Sequence, residues 1–600
     1  MRNSKSNLPL TGVKVIDFGQ YIAGPAVAML LEDLGATVVH IDPPDGPMWD
    51  SPANAALMRN EIVCISGDRF INQAKRFETE FLGEKAEFPA GPFILGAITV
   101  LGFAPYNLTI INFFTFSILL FLILELKKRT QSKYRKKKSN RYFFYLGCAF
   151  GFGFFLLGNY WISISLTHDD MFKGLIPFAL ILIPLFLSLF FGLAILFAGT
   201  FAEKNINFII LFSLIFSIFE FLRGNLLTGF PWNLISYTWS WSPEVLQILS
   251  LIGAYSLSLI SITLFCIPFL FFQKKIVLKN VIFTLSFFII FIAIYSYGIL
   301  KIKNSNYKFD KKLNVKIVSP NFSLKDYNIQ SEESQIKRLI KISDPDKDKK
   351  TLFVWPEGIF YQSYLEDIKK YQNLFKDRFS EDHLIILGIN NFNNNYGTDS
   401  QKYFNSLVLL NHKLEILSLY NKVNLVPFGE FLPFEKVLSK FGLKKITPGY
   451  SSFSPGDERM IINLGEEFNE KLILPLICYE IIYPAKMKKK NQYPDLVINI
   501  SEDAWFGKSI GPYQHFTKAI YRSIEEGVFI ARSANKGISA FINPNGKILK
   551  SLNTGESGSI ELNFPYFNRS TLFSIYGNKI FFLIIFLYIF LALIFKKLKI

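Results

Sequence analysis

Thiols and imidazoles are scarce in this sequence, whose 600 residues carry four cysteines and five histidines. The cysteines, Cys64, Cys148, Cys266 and Cys478, form no CxxC pair, and the histidines are scattered. A metal site of the usual Cys/His kind is therefore not expected, and no motif asks for a cofactor. No internal repeat and no long low-complexity tract is visible. Residues 1–60 mix polar and apolar positions, so no cleavable leader is expected there. Acidic residues are outnumbered, 48 to 65, leaving a formal charge of +17. That excess could suggest a nucleic-acid partner, but much of it sits in short runs beside apolar segments. There it reads as a topology signal, and no nucleic acid is expected.

Apolar residues are abundant. Half the chain is hydrophobic and 64 residues are Phe, while 19% are still charged, a mixture that suggests membrane spans joined to a water-soluble domain. The length calls for two or more units. Stretches long enough to cross about 30 Å of hydrocarbon occur near 88–106, 108–126, 142–165, 174–201, 207–224, 245–272, 281–300 and 579–595, about eight spans in all. The basic residues Lys127, Lys128, Arg129, Lys133, Arg135, Lys136, Lys137, Lys138 and Arg141 fall between spans two and three. Lys274, Lys275 and Lys279 follow span six, and Lys596, Lys597 and Lys599 follow span eight, whereas the alternate loops are poor in Lys and Arg. The positive-inside rule then places both termini in the cytoplasm and the large segment 301–575 on the opposite side.

Segment 301–575 carries strand-like runs at Val315–Val318, Thr351–Trp355, Leu384–Gly388, Ser406–Leu410, Leu472–Cys478, Leu496–Ile500, Val528–Ala531 and Ile538–Ile542. Helical patterns lie between several of them, such as 363–378 and 513–526. Alternation of this kind indicates an α/β sandwich.

One cysteine, Cys478, lies in this extracytoplasmic segment. Thiols there are normally paired, so a thiol with no partner is either reactive or buried as a small hydrophobe; this fact alone leaves both readings open. Cys478 ends an apolar strand, the position where ligand-binding residues gather in α/β folds, and Tyr479 and Glu480 follow it at once. A thiol nucleophile also needs a base and a cation. Glu357, in Val-Trp-Pro-Glu-Gly, and Lys422, in Tyr-Asn-Lys-Val-Asn-Leu-Val-Pro-Phe-Gly-Glu, sit in similar settings. Either alone would ordinarily be a solvated surface residue.

Together these segments resemble the nitrilase superfamily, with its Glu, Lys and Cys in that chain order. The wording is most similar to the apolipoprotein N-acyltransferase family. Asp503-Ala504-Trp505-Phe506-Gly507, Gly511-Pro512-Tyr513-Gln514-His515, Arg532-Ser533-Ala534-Asn535-Lys536-Gly537 and, after span five, Gly229-Phe230-Pro231-Trp232 agree with it. The resemblance covers about residues 85–600. It implies an αββα nitrilase-like domain at 301–575, a membrane domain of seven helices at 85–300 and a last membrane helix at 576–600. It implies Glu357 as general base, Lys422 as stabiliser of thiolate and oxyanion, helped by a backbone N–H next to Cys478, and Cys478 as nucleophile. Glu430 would support the triad as a second essential carboxylate, and Tyr479 and Glu480 occupy positions that matter in the family. The implied chemistry has two steps. Cys478 takes the sn-1 acyl chain of a phospholipid as a thioester, and the α-amine of a diacylglyceryl-cysteine on an apolipoprotein then accepts it. The implied setting is the bacterial inner membrane, with a monomer working on the bilayer and its catalytic domain periplasmic. Two positions depart from the family pattern: Glu502 stands where Asn is usual, and a Trp expected after the first strand of the domain is missing, with only Phe322 and Tyr327 nearby.

Residues 8–58 resemble the start of a class III CoA-transferase, with a strand at Val13–Phe18, a helix at Ala23–Leu34 and a strand at Thr37–Ile41. A fragment this short cannot bury that fold's core, so 1–68 reads as a truncated fusion or gene-model artefact. Two other functions compete with acyl transfer. A membrane-bound nitrilase-type amidase would need only one span as a tether. A transporter would need more intramembrane charge than the pair Glu220 and Arg223.

Overall fold

The computed structural model describes residues 90–130, 140–272, 277–324, 330–393, 402–438, 440, 452–487, 493–566 and 570–597, together with the backbone of four short strands nearer the N-terminus. The chain divides into two compact units, residues 1–98 with 145–192, and residues 99–144 with 193–600. At the N-terminus β1 (Lys14–Asp17) pairs in parallel with β2 (Thr37–His40), where the sequence predicts strands. The helix expected over Ala23–Leu34 lies outside the described residues. β3 (Phe77–Phe81) and β4 (Glu84–Phe88) form an antiparallel pair in a stretch where the sequence carries no clear signal.

Among the described residues, seven helical segments are long and apolar enough to cross a membrane: Ile110–Thr130, Asn140–Thr167, Asp170–Thr200, Ile206–Asn225, Leu249–Phe271, Leu278–Lys303 and Lys579–Lys597. The stretch expected as the first span forms a shorter apolar helix, Ala90–Gly102. At 1.5 Å per residue it reaches about 20 Å, less than the hydrocarbon thickness. Within the first unit this helix packs closely on its neighbour. A Cβ on Gly96 would lie 1.9 Å from the Phe150 carbonyl oxygen, and one on Gly153 would lie 1.9 Å from that of Phe93. Small residues permit such backbone contact between membrane helices. The helices Leu278–Lys303 and Lys579–Lys597 leave Ile282, Leu285, Phe288 and Ile289, and Phe582, Leu583 and Phe586, exposed, as lipid-facing helices require.

The second unit contains the α/β domain. β5 (Phe309–Ser319), β6 (Thr351–Val354), β7 (Phe360–Tyr364), β8 (His383–Asn393), β9 (Lys402–Asn411) and β10 (Ile416–Asn421) build the first sheet with β17 (Gly558–Pro565). Its order is β10-β9-β8-β6-β5-β17, with β7 beside β8. β11 (Ile462–Asn463), β12 (Leu472–Ile477), β13 (Leu496–Glu502), β14 (Phe529–Asn535), β15 (Ser539–Ile542) and β16 (Ile548–Leu552) form the second sheet in sequence order. Central strands in both sheets run parallel. They are buried on both faces, which is why Leu352–Val354 and Leu472–Ile477 read as continuous rather than alternating apolar runs. Val315, Ile317, Leu352, Val354 and Ile386 of one sheet meet Ile473, Ile477, Ile498, Ile500 and Ala531 of the other in a single core. On the outer side of the first sheet Phe353, Ile385 and Leu387 pack with Ile336 and Leu339 of the helix Glu332–Ser343. Helix Gly511–Glu526 lies against β14 and β15 of the second. The result is the expected αββα sandwich. The helix expected over 363–378 is instead β7, a 3-10 turn at Leu365–Tyr371 and one short helix, Gln372–Lys376.

Polar contacts tie this domain to the membrane helices of the same unit. The helix Leu249–Cys266 breaks at Gly253, where φ is +73°. The freed Ala254 N–H donates to Glu525 Oε1 at 2.7 Å. Trp232 Nε1 donates to Gln514 Oε1 at 2.7 Å, and the Tyr483 hydroxyl donates to Thr228 O at 3.1 Å. Arg223 donates to the Asn233 carbonyl at 3.1 Å and Glu220 accepts from Ile235 N at 3.0 Å, so this buried intramembrane pair holds the loop carrying Trp232.

Candidate active site

Parallel strands deliver their C-terminal ends to one edge, and the expected triad gathers there. Glu357 leaves β6 through Trp355 and Pro356, Lys422 follows β10, and Cys478 follows β12. Lys422 is buried, with its Nζ 2.9 Å from Glu430 Oε1 and 3.5 Å from Glu357 Oε1. One amide joins the two carboxylates: Asn405 Nδ2 lies 2.7 Å from Glu357 Oε1 and 2.7 Å from Glu430 Oε1. The second oxygen of each acid is also occupied. Glu357 Oε2 accepts from Glu502 N at 3.0 Å, and Glu430 Oε2 accepts from Val426 N at 2.8 Å.

Cys478 has φ +48°, a left-handed conformation in a non-glycine residue, which costs on the order of 1–3 kcal/mol and persists only where the surroundings impose it. Glu480 is one such constraint. Fully buried, it accepts from Ile477 N at 2.8 Å, Val423 N at 2.8 Å, Asn424 N at 3.1 Å and the Tyr420 hydroxyl at 2.9 Å, and pairs with Arg459 at 2.5 Å. A single carboxylate thus clamps the Cys478 turn to the loop carrying Lys422. The Tyr479 hydroxyl reaches the Gly229 carbonyl at 3.3 Å.

Charge sets the protonation of these groups. Burial opposes the Lys422 ammonium, but Glu357 and Glu430 outweigh it and hold its pKa above the ordinary value. Burial, then the Glu357 charge, push the Cys478 thiol up, and Lys422 offsets only part of this. The resting side chain is therefore a thiol. Lys422 is already neutralised by two carboxylates, and desolvation dominates.

Sequence reasoning missed a second cluster behind Cys478. Asp503, at the end of β13, accepts from Ser501 Oγ at 2.6 Å and from Arg532 Nη2 at 2.8 Å. Burial opposes its charge, but Arg532 and His515 hold its carboxyl well below the usual range. His515 Nδ1 lies 3.1 Å from Asp503 Oδ1, and its Nε2 lies 3.3 Å from the Cys478 carbonyl oxygen. Cys478, Asp503 and His515 bring ligand atoms within 4.8 Å of one another, a juxtaposition that spacing does not announce. The Arg532 guanidinium sits on both the carboxylate and the imidazole, so an added cation would meet a like charge. Asp503 could have been flagged as a carboxylate at a strand's end. Asn405, in the middle of β9, offers no such signal. Glu502, the departure from the family pattern, is satisfied by Asn535 Nδ2 at 2.9 Å and Ala504 N at 3.0 Å. Of the two residues near the missing Trp, Phe322 is buried, and Tyr327 lies outside the described residues.

Comparison with known proteins places these elements in context. Residues 95–267 match the family described as apolipoprotein N-acyltransferase N-terminal domain, and 347–564 match carbon-nitrogen hydrolase. Residues 10–51 match CoA-transferase family III. Apolipoprotein N-acyltransferase from Rickettsia typhi is 32% identical over 81% of this chain and 94% of its own length. The protein of that name from Rickettsia prowazekii is 33% identical over the same shares. Among solved structures, an amidase from Nesterenkonia sp. is 14% identical, with a TM-score of 0.26, covering 44% of this chain and 93% of the amidase.

Proposed function

The chain belongs to the apolipoprotein N-acyltransferase family, and we propose that it moves an acyl chain from a membrane phospholipid through a Cys478 thioester to the α-amine of an apolipoprotein's N-terminal diacylglyceryl-cysteine. The observation that carries this reading is the convergence of Glu357, Lys422 and Cys478 at the strand ends of the two sheets, beside Tyr479, whose hydroxyl bonds a loop between membrane helices.

The first step begins with the thiol protonated. Cys478 Sγ attacks the sn-1 ester carbonyl as its proton passes to Glu357. The developing oxyanion is met by the Lys422 ammonium. Collapse breaks the ester C–O bond, and Glu357 returns the proton to the departing lysophospholipid. In the second step the α-amine attacks the thioester carbonyl, Glu357 takes the amine proton, and the C–S bond breaks to restore the thiol. Glu430 and Asn405 keep Lys422 and Glu357 in register, and Glu480 holds the Cys478 turn. Placing the reacting groups in advance supplies much of the rate.

The distribution of Lys and Arg supports a topology with 301–575 periplasmic and both termini cytoplasmic. In this reading residues 85–300 and 576–600 anchor the enzyme in the inner membrane, and 1–68 takes no part. In this reading the enzyme works as a monomer.

The test is incubation of purified protein with phosphatidylethanolamine vesicles and a diacylated lipopeptide. Mass spectrometry should find the lipopeptide acylated on its α-amine and lysophospholipid in equal amount. Release of free fatty acid with no acylated peptide would favour the hydrolytic, amidase-like alternative.

A further inference from the structure

Three groups surround the His515 ring. Arg532 Nη2 lies 3.0 Å from Nδ1, Asp503 Oδ1 lies 3.1 Å from the same nitrogen, and the Cys478 carbonyl oxygen lies 3.3 Å from Nε2. A carbonyl oxygen only accepts, so Nε2 must carry a proton for that contact to be favourable. The Nδ1 lone pair then accepts from Arg532. The ring is fixed on its faces as well, stacked on Trp232 at 5.5 Å and edge-on to Phe506 at 5.5 Å. Burial and the charges of Arg532 and Lys518 push its pKa down to about 4, against the opposing charge of Asp503. The imidazole is therefore neutral, with its one proton on Nε2.

The position of that proton matters because Cys478 holds φ +48°. In a trans peptide the C=O and the next N–H point in opposite directions. Whatever fixes the Cys478 carbonyl therefore fixes the Tyr479 N–H, which lies in the same plane and points the opposite way. We infer that His515 is a positioning residue: by donating its Nε2–H to the Cys478 carbonyl, it locks the Cys478–Tyr479 peptide so that the Tyr479 N–H faces the developing oxyanion together with Lys422. Without that donor the strained peptide is free to rotate, and the N–H leaves the site.

The inference rests on the acyl-transfer reading, and its test separates the two. Two rates are measured on the full-length protein in detergent: acyl-enzyme formation from phospholipid, which develops an oxyanion, and iodoacetamide alkylation of Cys478, which does not. His515→Met and His515→Gln are close in size, but only Gln can donate to the carbonyl. We expect His515→Met to lose about 10²-fold in acylation with alkylation unchanged, and His515→Gln to recover at least about tenfold of that loss. His515→Phe, which keeps the stacking on Trp232, replaces His515→Met should the latter not fold. Equal acylation by the Gln and Met variants overturns the inference, as does a parallel fall in acylation and alkylation. A wild type that forms no acyl-enzyme would overturn the acyl-transfer reading itself.

Discussion

Lys422 Nζ lies 2.9 Å from Glu430 Oε1, closer than the 3.5 Å that separates it from Glu357 Oε1. The ammonium thus sits nearest Glu430, the carboxylate to which the proposed mechanism gives no proton transfer. Glu357, the base of the proposed mechanism, lies farther from the ammonium, and its charge raises the energy of a thiolate next to it.

Glu430→Gln should leave Glu357 as the sole carboxylate for Lys422, tightening that pair and weakening the base. Acyl-enzyme formation should fall by on the order of 10–10²-fold, and Glu357→Gln should cost on the order of 10²–10⁴-fold. Single-turnover kinetics with phospholipid vesicles would measure both. An undiminished rate in Glu430→Gln would mean that the 2.9 Å contact does not govern the base.

The raised Cys478 thiol predicts a pH profile. Alkylation by iodoacetamide needs thiolate, whose fraction rises about tenfold per pH unit below the pKa. The rate should climb steadily from pH 6 to 9 with no plateau, and Lys422→Met should lower it throughout. A plateau near pH 7 would indicate a preformed thiolate.

Gly388 tests how tightly the base is seated. A Cβ there would meet Glu357 Cα at 2.8 Å and Ile500 Cδ1 at 3.2 Å. Displacement of a catalytic group by about 1 Å can cost up to about 10²-fold. Gly388→Ala should accordingly lose acylation, while the melting temperature in detergent falls only modestly.

Much of this site was readable from strand ends. Glu357 and Cys478 each follow an apolar run, at β6 and β12, whereas Lys422 follows β10, which is not among the strand-like runs the sequence displays. The sandwich was readable because its central strands are continuously apolar. Asn405 was not, since an Asn within a strand looks the same whether it bridges two acids or faces solvent. His515 and Arg532 stand in motifs the sequence displays, but nothing in their spacing shows that they meet behind Cys478. How far burial raises the thiol against Lys422 was not readable, because burial is a property of packing. The first expected span failed on length: its apolar residues continue past Gly102, but the helix stops there.

The buried pair Glu220 and Arg223, 3.9 Å apart, fastens the loop bearing Trp232. Arg223→Met would leave Glu220 without its cation, which should cost about 3–5 kcal/mol of stability. Glu220→Leu combined with Arg223→Met should cost less than Arg223→Met alone. Melting temperatures in detergent would decide.

Deletion of residues 1–84 should leave acylation unchanged, because every site contact described lies at or beyond Gly229. A loss of activity in that deletion would assign the N-terminal segment a role that the site geometry does not require.

The most direct test of the central claim is the mass of the intact protein after incubation with phospholipid alone. The account predicts one added acyl chain on Cys478, removed by hydroxylamine and absent from Cys478→Ala. No adduct on the wild type, or the same adduct on Cys478→Ala, would contradict it.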